Sequence, residues 1–164
     1  MSDELDQGLP FATDLEHPAL QIIAERFGEE RLDHEHFRGE VVWTIEPGEL
    51  LEFMTLIRDH ERLRFIFLSD LVGLEAMAGE PRFWVLYNVH SIELRLRMRI
   101  RVPAHGDKVP SICSLYPGAD WHEREAFDMY GIEFEGHPRL RRIYMPDDFD
   151  GHPLRKDFPL RGKG

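Results

Sequence analysis

An unbroken alternation of apolar and polar positions sets the strongest limit on how this chain can fold. Apolar residues occupy every second position from Ile92 to Val102. Because side chains along a β-strand point alternately to the two faces of its sheet, this pattern predicts a strand with one buried face. The opposite face, which either lies in solvent or contacts a partner, carries four arginines: Arg95, Arg97, Arg99 and Arg101.

Apolar residues at helical spacing predict two amphipathic helices, near residues 17–27 and 48–59. A β-branched run at residues 41–45 predicts a strand between them, and residues 64–68 are a second strand candidate. A third, short helix is expected at residues 119–129, because Gly131 follows it at the position where a left-handed glycine ends helices.

Residues 82–89 and 93–102 predict a hairpin that turns near residues 88–91. Together with the helices, this hairpin predicts an α+β fold with helices packed on a small, mostly antiparallel or mixed sheet. We expect this α+β domain to span residues 1–135 and to be followed by an extended C-terminal arm at residues 136–164.

Composition limits what the chain can do. Its 164 residues suffice for one domain, and the single cysteine, Cys113, excludes an internal disulfide or an iron–sulfur cluster ligated by this chain alone. No apolar run approaches the about 20 residues of a membrane span, and the acidic stretch at residues 1–10 does not resemble an export signal. We therefore expect no membrane span and a cytoplasmic location.

The net charge of −11 is unevenly distributed: the first 80 residues carry −13 and the remaining residues carry +2. The acidic half argues against nucleic-acid binding, because neutralising phosphates needs a concentrated basic surface. Two interpretations of this asymmetry stay open. The acidic helices either keep the protein soluble, or the C-terminal half meets acidic neighbours.

A dense charged cluster lies in the predicted third helix, at Glu123, Arg124, Glu125 and Asp128. Arg124 and Asp128 are four residues apart and can form an intrahelical pair, which leaves the two glutamates without a role. Pairing within the chain and docking on a partner are equally compatible with the residues alone. If these charges are exposed, removing one changes the stability of the isolated domain by under about 1 kcal/mol.

The predicted arm carries prolines at positions 138, 146, 153 and 159, too many for a regular helix or a paired strand. It is nevertheless richer in apolar and aromatic residues than a solvated tail. We therefore expect it to order on another surface, with its arginines binding carboxylates or carbonyls.

This C-terminal region resembles a family of respiratory complex I proteins, usually called the C subunit of NADH-quinone oxidoreductase. The resemblance rests first on the Glu-Arg-Glu triplet, Asp128, Met129 and Tyr130, and then on His137, Arg141, Ile143 and Tyr144. The stretches at residues 151–160 and 67–73 also resemble the family's tail and its central strand and turn. Detailed similarity covers about a third of the chain.

The resemblance implies a cofactor-free subunit of the peripheral arm, beside the quinone-site (D) subunit and other peripheral-arm subunits, at the cytoplasmic face of the inner membrane. The complex passes electrons from NADH through FMN and iron–sulfur clusters to quinone and exports protons. The chain itself would hold no catalytic, cofactor or metal site. The residues expected at the partner interface are Glu123, Arg124, Glu125, Asp128, His137, Arg141, Arg142, Tyr144, His152, Leu154, Arg155, Lys156, Asp157 and Phe158.

Several alternatives are weighed against this interpretation. Nickel–iron hydrogenases and ferredoxin- or F420-dependent relatives use a homologous subunit, and a stand-alone module could bind an acidic ligand through the arginines. A zinc-protease helix is disfavoured, because the residues after His122 do not include the second histidine that such a helix needs. A calcium-binding loop near Asp148 is disfavoured, because Pro146 stands where its first ligand should be. His137 and His152 are expected to bond backbone groups rather than a metal. No glycine-rich loop supports flavin or nicotinamide binding.

Overall fold

The computed structural model describes residues 18–37 and 40–159. The predictions for residues 1–17 and 160–164, including the start of the domain and the end of the arm, lie outside the described residues. The helices are α1 (Pro18–Phe27), α2 (Leu50–Asp59) and α3 (Ala119–Tyr130). The strands are β1 (Asp33–Phe37), β2 (Glu40–Thr44), β3 (Phe67–Glu75), β4 (Phe83–Ser91), β5 (Leu96–Ala104), β6 (Lys108–Pro110) and β7 (Glu133–Glu135).

The two amphipathic helices are confirmed. In α2 the residues with helical spacing, Leu50, Phe53, Met54 and Ile57, are all fully buried. In α1, Phe27 is buried and its ring meets the ring of Phe53 edge-on, with 5.2 Å between the centroids. The apolar stripe of each helix is therefore the surface through which it joins the core.

Five strands form one mixed sheet in the order β1-β2-β5-β4-β3. β2 and β5 are parallel, and the other neighbours are antiparallel. The register aligns Trp43, Ile100, Tyr87 and Leu71 in one row across four strands, and all four are buried. These side chains join the buried residues of α1 and α2 in a single core, so the predicted α+β class is confirmed.

Two predicted strand boundaries need correction. The hairpin turns at residues 92–95 instead of 88–91, so Ile92 is exposed and Arg95 adopts a left-handed φ of 54°. The strand predicted at residues 64–68 begins at Phe67, with Ile66 exposed before it. The hairpin turn was misplaced because the apolar alternation continues through Ile92 and Leu94, and the strand start because the apolar run begins at Phe65, before the strand. No glycine or proline marks either boundary.

The alternation along β5 is confirmed within the strand itself. Leu96, Met98, Ile100 and Val102 are buried in the core, and the arginines between them lie on the outer face of the sheet. Within the described part of the chain, none of the helices combines the length and apolar character needed to cross a membrane.

α3 lies across the inner side of the edge strand β3, and Gly73 sets how closely the two elements approach. A Cβ atom at Gly73 would lie 2.9 Å from Tyr130 Cδ2 and 3.2 Å from Ile132 Cδ1. Because a real Cβ atom does not approach carbon so closely, only glycine fits without displacing α3. The short parallel pair β6–β7 then flanks α3 in the chain, and this arrangement fixes the position of the charged cluster.

Candidate functional site

Glu123 lies in the interior, on the side of α3 that faces the loop after β6. Its side chain is 0% exposed, and its carboxylate accepts hydrogen bonds from Ser111 Oγ at 2.6 Å, Ile112 N at 2.8 Å and Cys113 Sγ at 3.3 Å. Burial raises the pKa of Glu123, and the three hydrogen bonds and His137 only partly oppose the rise. The carboxylate therefore fastens α3 to this loop.

His137 is enclosed beside the same helix. Its Nδ1 accepts the backbone N–H of Arg139 at 2.9 Å, so the ring proton resides on Nε2, which donates to the Asp120 carbonyl at 3.3 Å. This confirms the prediction that the imidazole bonds to backbone groups. Nε2 also lies 3.4 Å from Asp120 Oδ1 and 4.0 Å from Glu123 Oε2, so His137 lies in one polar cluster with these two residues of α3.

Cys113, Glu123 and His137 form a group that a metal ion could use geometrically, because their candidate ligand atoms lie within 4.8 Å of one another. The chemistry of the donors does not favour this use. Burial raises the pKa of the Cys113 thiol to about 12, so at neutral pH it is a thiol that donates to Glu123 and not the thiolate that binds metals. The Glu123 carboxylate also already accepts three hydrogen bonds, with which a metal ion would compete.

Asp128 organises the C-terminal segment, defined here as residues 136–159. The side chain is fully buried, and its Oδ2 accepts three consecutive backbone N–H groups, those of Ile143 at 3.0 Å, Tyr144 at 2.7 Å and Met145 at 3.0 Å. Its Oδ1 accepts Arg142 Nη1 at 2.8 Å. Burial alone raises the pKa of Asp128, but these four hydrogen bonds outweigh it and hold the pKa below its usual value.

The same segment satisfies the last carbonyl groups of α3. His152 Nδ1 donates to Asp128 O at 2.9 Å, Leu154 N to Met129 O at 3.0 Å, and Arg155 Nε to Tyr130 O at 2.5 Å. Helix C-termini leave such carbonyls without partners inside the helix, and a cation there also interacts favourably with the helix dipole. The segment is thus the C-terminal cap of α3.

Gly131 makes this cap possible and confirms the predicted end of the helix. Its φ is 74°, in the left-handed region, and a Cβ atom there would lie 2.6 Å from both Arg155 Nη2 and His152 Nε2. Backbone conformation and lack of space therefore both require glycine.

Comparison with known proteins agrees with this architecture. Residues 43–164 match the family model described as the 30 kDa subunit of the respiratory-chain NADH dehydrogenase, which is well over half of the chain. The chain belongs to this family.

Relatives of the 30 kDa subunit family extend the match over most of the chain. The NADH-quinone oxidoreductase C subunit numbered 2 of Rhizobium etli is 46% identical over 142 residues, covering 85% of this chain and 75% of that protein. The C subunit of the same enzyme from Citrifermentans bemidjiense is 44% identical over 146 residues, covering 88% and 89%. As a member of this family, the chain is a subunit of an NADH-quinone oxidoreductase complex.

Two solved structures share the fold. The trypsin-resistant fragment of Nqo5 superposes with a TM-score of 0.63 and 28% identity over 74% of this chain and 99% of the fragment. An archaeal membrane-bound sulfane sulfur reductase chain gives a TM-score of 0.69 over 86% of this chain and 84% of that chain. At 18% identity, this second likeness shows the fold alone and gives no advantage to the alternative of a hydrogenase-type complex.

Within this 30 kDa family member, the structure divides the residues expected at a partner interface. Six of them have their charged or polar groups engaged inside the chain: Glu123, Arg124, Asp128, His137, Arg142 and Arg155. Their place at a partner interface stays a prediction. Local patterns do not show these contacts, because the groups that satisfy the six residues lie up to 48 residues away, as in the pair of Arg155 with Asp107. The predicted intrahelical pair of Arg124 with Asp128 is replaced by one with Asp120, whose Oδ1 lies 3.9 Å from Arg124 Nη1. Arg124 Nε also donates to Arg141 O at 3.2 Å.

The remaining predicted interface residues lie at or near the surface. Lys156 N and Asp157 are tied to the end of β3 and to Arg82, and Phe158 stacks on Phe149. His152, which belongs to the cap, is half-buried. The predicted residues that present their side chains outward along α3 and the segment are Glu125, Arg141, Tyr144 and Leu154.

Sequence reasoning missed Trp121, which is 63% exposed on the first turns of α3. The Arg124 guanidinium lies 4.8 Å from its ring centroid, so the indole is held in place while its other face stays open. A tryptophan four residues before Glu125 on the same helix was the available signal, because it breaks the otherwise charged outer surface. We call Trp121, Glu125, Tyr144 and Leu154 the α3 band.

Proposed function

We propose that this chain is a cofactor-free scaffold of the peripheral arm, which docks through the α3 band on the quinone-site (D) subunit and contacts other peripheral-arm subunits. The observation that carries the proposal is the exposure of three large side chains, Trp121, Tyr144 and Leu154, at 63%, 61% and 52%. Large aromatic and aliphatic residues held in place on a rigid element are typical anchors of protein interfaces.

The band is rigid because hydrogen bonds to α3 hold both of its segment residues. The backbone N–H of Tyr144 bonds to Asp128, and that of Leu154 bonds to the end of α3. Leu154 and Glu125 also line the same shallow groove beside β3. Segment and helix therefore move as one body, so docking costs little conformational entropy.

A rigid scaffold suits the chemistry of the complex. Electron transfer from NADH through FMN and iron–sulfur clusters to quinone depends on positions fixed within about 1 Å at the quinone site. We expect this chain to maintain those positions at the cytoplasmic face of the inner membrane, without binding FMN, a cluster or quinone itself. The single cysteine of the chain supports the expectation for a cluster, because an iron–sulfur cluster needs several thiolates.

Truncating the two aromatic anchors tests the proposal. Trp121→Ala and Tyr144→Ala should each leave the stability of the isolated chain within about 1 kcal/mol of the wild type, because exposed side chains contribute little to folding. In cells that co-express the other subunits, each should reduce the yield of assembled quinone-reducing complex on native gels. Leu51→Ala is the matched control, since Leu51 is 42% exposed on α2, away from the band.

Normal assembly of both aromatic variants would contradict the proposed docking. A large loss of stability in the isolated chain would instead show that the aromatic rings belong to the fold. Because the complex is identified by its subunits, mass spectrometry of the same gels also shows whether the quinone-site subunit is the neighbour that is lost.

A further inference from the structure

The strand β3 lies at one end of the five-stranded sheet. Within the described residues its one neighbour in the sheet is β4, although β3, with nine residues, is as long as β4 and β5. A long edge strand offers a row of backbone N–H and C=O groups to other chains, and proteins usually protect it. β3 is protected at its two ends, by a register shift between Leu68 and Asp70 and by Lys156, which bonds to Glu75 and Ala76.

The ladder with β4 decides which residues of β3 direct their backbone groups to the open edge. Ala76 N donates to Arg82 O at 2.8 Å, so the backbone groups of Ala76 point toward β4. Because this direction alternates from residue to residue, even-numbered residues from Asp70 onward bond to β4. The N–H and C=O groups of the odd-numbered residues Leu71 and Gly73 therefore point away from β4.

These edge groups border the shallow groove beside β3. No hydrogen bond with another described residue engages the backbone of Leu71 or Gly73 on this side. The groove has a volume of about 120 Å³, and its opposite wall is formed by Glu125, Ala126, Met129, Tyr130 and Leu154. Backbone N–H and C=O groups are strong hydrogen-bonding groups, so this wall is suited to binding another extended backbone.

The groove is continuous with the α3 band, because Glu125 and Leu154 belong to both. A chain that docks on the band therefore passes the open edge of β3. On the outer side of this edge, Val72 and Leu74 are 37% and 41% exposed, and a strand paired with β3 would cover part of their apolar surface.

The charges along the groove favour a different chain over a second copy of this one. The charged residues that the structure describes in its lining are Asp70 and Glu125. Asp70 Oδ1 lies 3.8 Å from His122 Nε2, whereas Glu125 makes no hydrogen bond or ion pair with the described part of the chain. A second copy, paired across a two-fold axis, would bring these acids of both chains to one edge, which is repulsive.

We propose that an extended segment of the subunit that docks on the α3 band pairs with β3 as an additional strand of the sheet. Its backbone bonds to the N–H and C=O groups of Leu71 and Gly73, and it carries a basic side chain beside Glu125. The proposal rests on the docking function proposed above and adds the way in which the neighbour is held. Backbone pairing supplies affinity, and the side chains on the two faces of the added strand supply selectivity.

Amide hydrogen exchange, read at single residues in the isolated chain and in the purified complex, tests the strand pairing. We expect the amides of Leu71 and Gly73 to exchange rapidly in the isolated chain and about a hundredfold more slowly, or slower still, in the complex. Val72 and Leu74 are internal controls, because their amides bond to β4 and should exchange slowly in both states. In one segment of the neighbour, every second amide should gain protection on assembly, since an added strand bonds through alternate residues.

Rapid exchange of Leu71 and Gly73 in the complex would overturn the proposal. Slow exchange in the isolated monomer would show that the chain closes its own edge, and slow exchange that accompanies self-association would identify a second copy as the occupant. Both results would overturn the proposal. Protection without an alternating pattern in any segment of a neighbour would show that the edge is covered without strand pairing, which overturns it as well.

Glu125→Gln and Glu125→Lys test the basic side chain of the added strand. Each variant is co-expressed with the other subunits, and the content of this chain in the purified complex is measured. We expect Glu125→Lys to lower it about tenfold or more and Glu125→Gln to lower it clearly less. Glu61→Lys is the matched control, because Glu61 is exposed and lies outside the groove. Equal losses for the two Glu125 variants, or no loss, would overturn the assignment of a basic side chain.

The strand pairing and the docking function can fail separately. If assembly protects the side chains of Trp121 and Tyr144 but leaves the amides of Leu71 and Gly73 in rapid exchange, only the strand pairing is refuted. If the amides are protected and the two aromatic side chains are not, docking through the α3 band is refuted and the edge of β3 is retained as the contact.

Discussion

Replacing Asp128 by alanine tests whether the C-terminal segment is held by the interior of its own domain. The variant removes the acceptor of four hydrogen bonds, three from the backbone of residues 143–145 and one from Arg142. Breaking a buried ion pair by removing one partner costs about 3–5 kcal/mol. Each N–H group that stayed buried without an acceptor would add about 1–3 kcal/mol.

The total destabilisation from these two costs has an upper limit, because the segment can detach and return its N–H groups to water. We therefore expect Asp128→Ala to lower the free energy of unfolding in urea by about 3–5 kcal/mol, or to release the segment with a similar local cost. In both cases the amides of residues 143–145 should exchange hydrogen much faster. The free energy of unfolding and residue-resolved amide exchange separate the two outcomes.

Asp157→Ala is the matched control, since it makes the same change in the same segment. Asp157 pairs with Arg82 at 2.8 Å but is 64% exposed, so its loss should barely change the free energy of unfolding. An Asp128→Ala variant as stable as Asp157→Ala, with unchanged amide exchange, would refute the central role of the buried carboxylate.

Three further predictions concern the glycines and Glu123. Gly131→Ala should lower the free energy of unfolding by about 1–3 kcal/mol, because alanine resists a φ of 74° and its Cβ displaces the cap. Gly118→Ala is the control: its Cβ lies in open space, so the free energy of unfolding should change by under about 0.5 kcal/mol. Urea unfolding of the two variants compares these values. Gly73→Ala should cost about 1–3 kcal/mol by pushing α3 from β3, and an unchanged thermal midpoint would contradict that close approach. Burial raises the pKa of Glu123 in the folded state, so the folded protein binds a proton there more tightly than the unfolded chain does. This proton binding stabilises the fold at low pH, and the stabilisation is lost as pH rises through the raised pKa. The wild type should therefore exceed Glu123→Gln in free energy of unfolding by more at about pH 5 than at about pH 8, and a pH-independent difference would disprove the raised pKa.

Local patterns sufficed for the parts of the fold that depend on local physics. The spacing of Leu50 to Ile57 predicted α2 and its buried face, and the alternation from Leu96 to Val102 predicted the core face of β5. Gly131 was predicted as a helix end because helices commonly end at a glycine in the left-handed conformation. The same patterns failed at Arg95, which takes a left-handed φ without being glycine, so the turn has no sequence signal.

The site itself depends on contacts that no local pattern contains. The Glu-Arg-Glu triplet predicted an important helix, but not that Ser111 and the N–H of Ile112 lie ready to bond Glu123. The prolines predicted a segment without strand pairing. They did not predict that one carboxylate, Asp128, accepts three of its N–H groups. Charge clusters in sequence therefore mark positions under constraint without showing whether the constraint is inside the chain or outside it.

Hydroxyl-radical footprinting of the chain, alone and in its assembled complex, would show whether a neighbouring subunit covers the α3 band. We expect the side chains of Trp121, Tyr144 and Leu154 to react readily in the isolated chain and to be protected in the complex, because they are exposed in the fold and buried by a neighbour. Phe53 and Tyr87, which are fully buried, should be unreactive in both states. Equal reactivity of Trp121 and Tyr144 in the two states would contradict the α3 band as the docking surface.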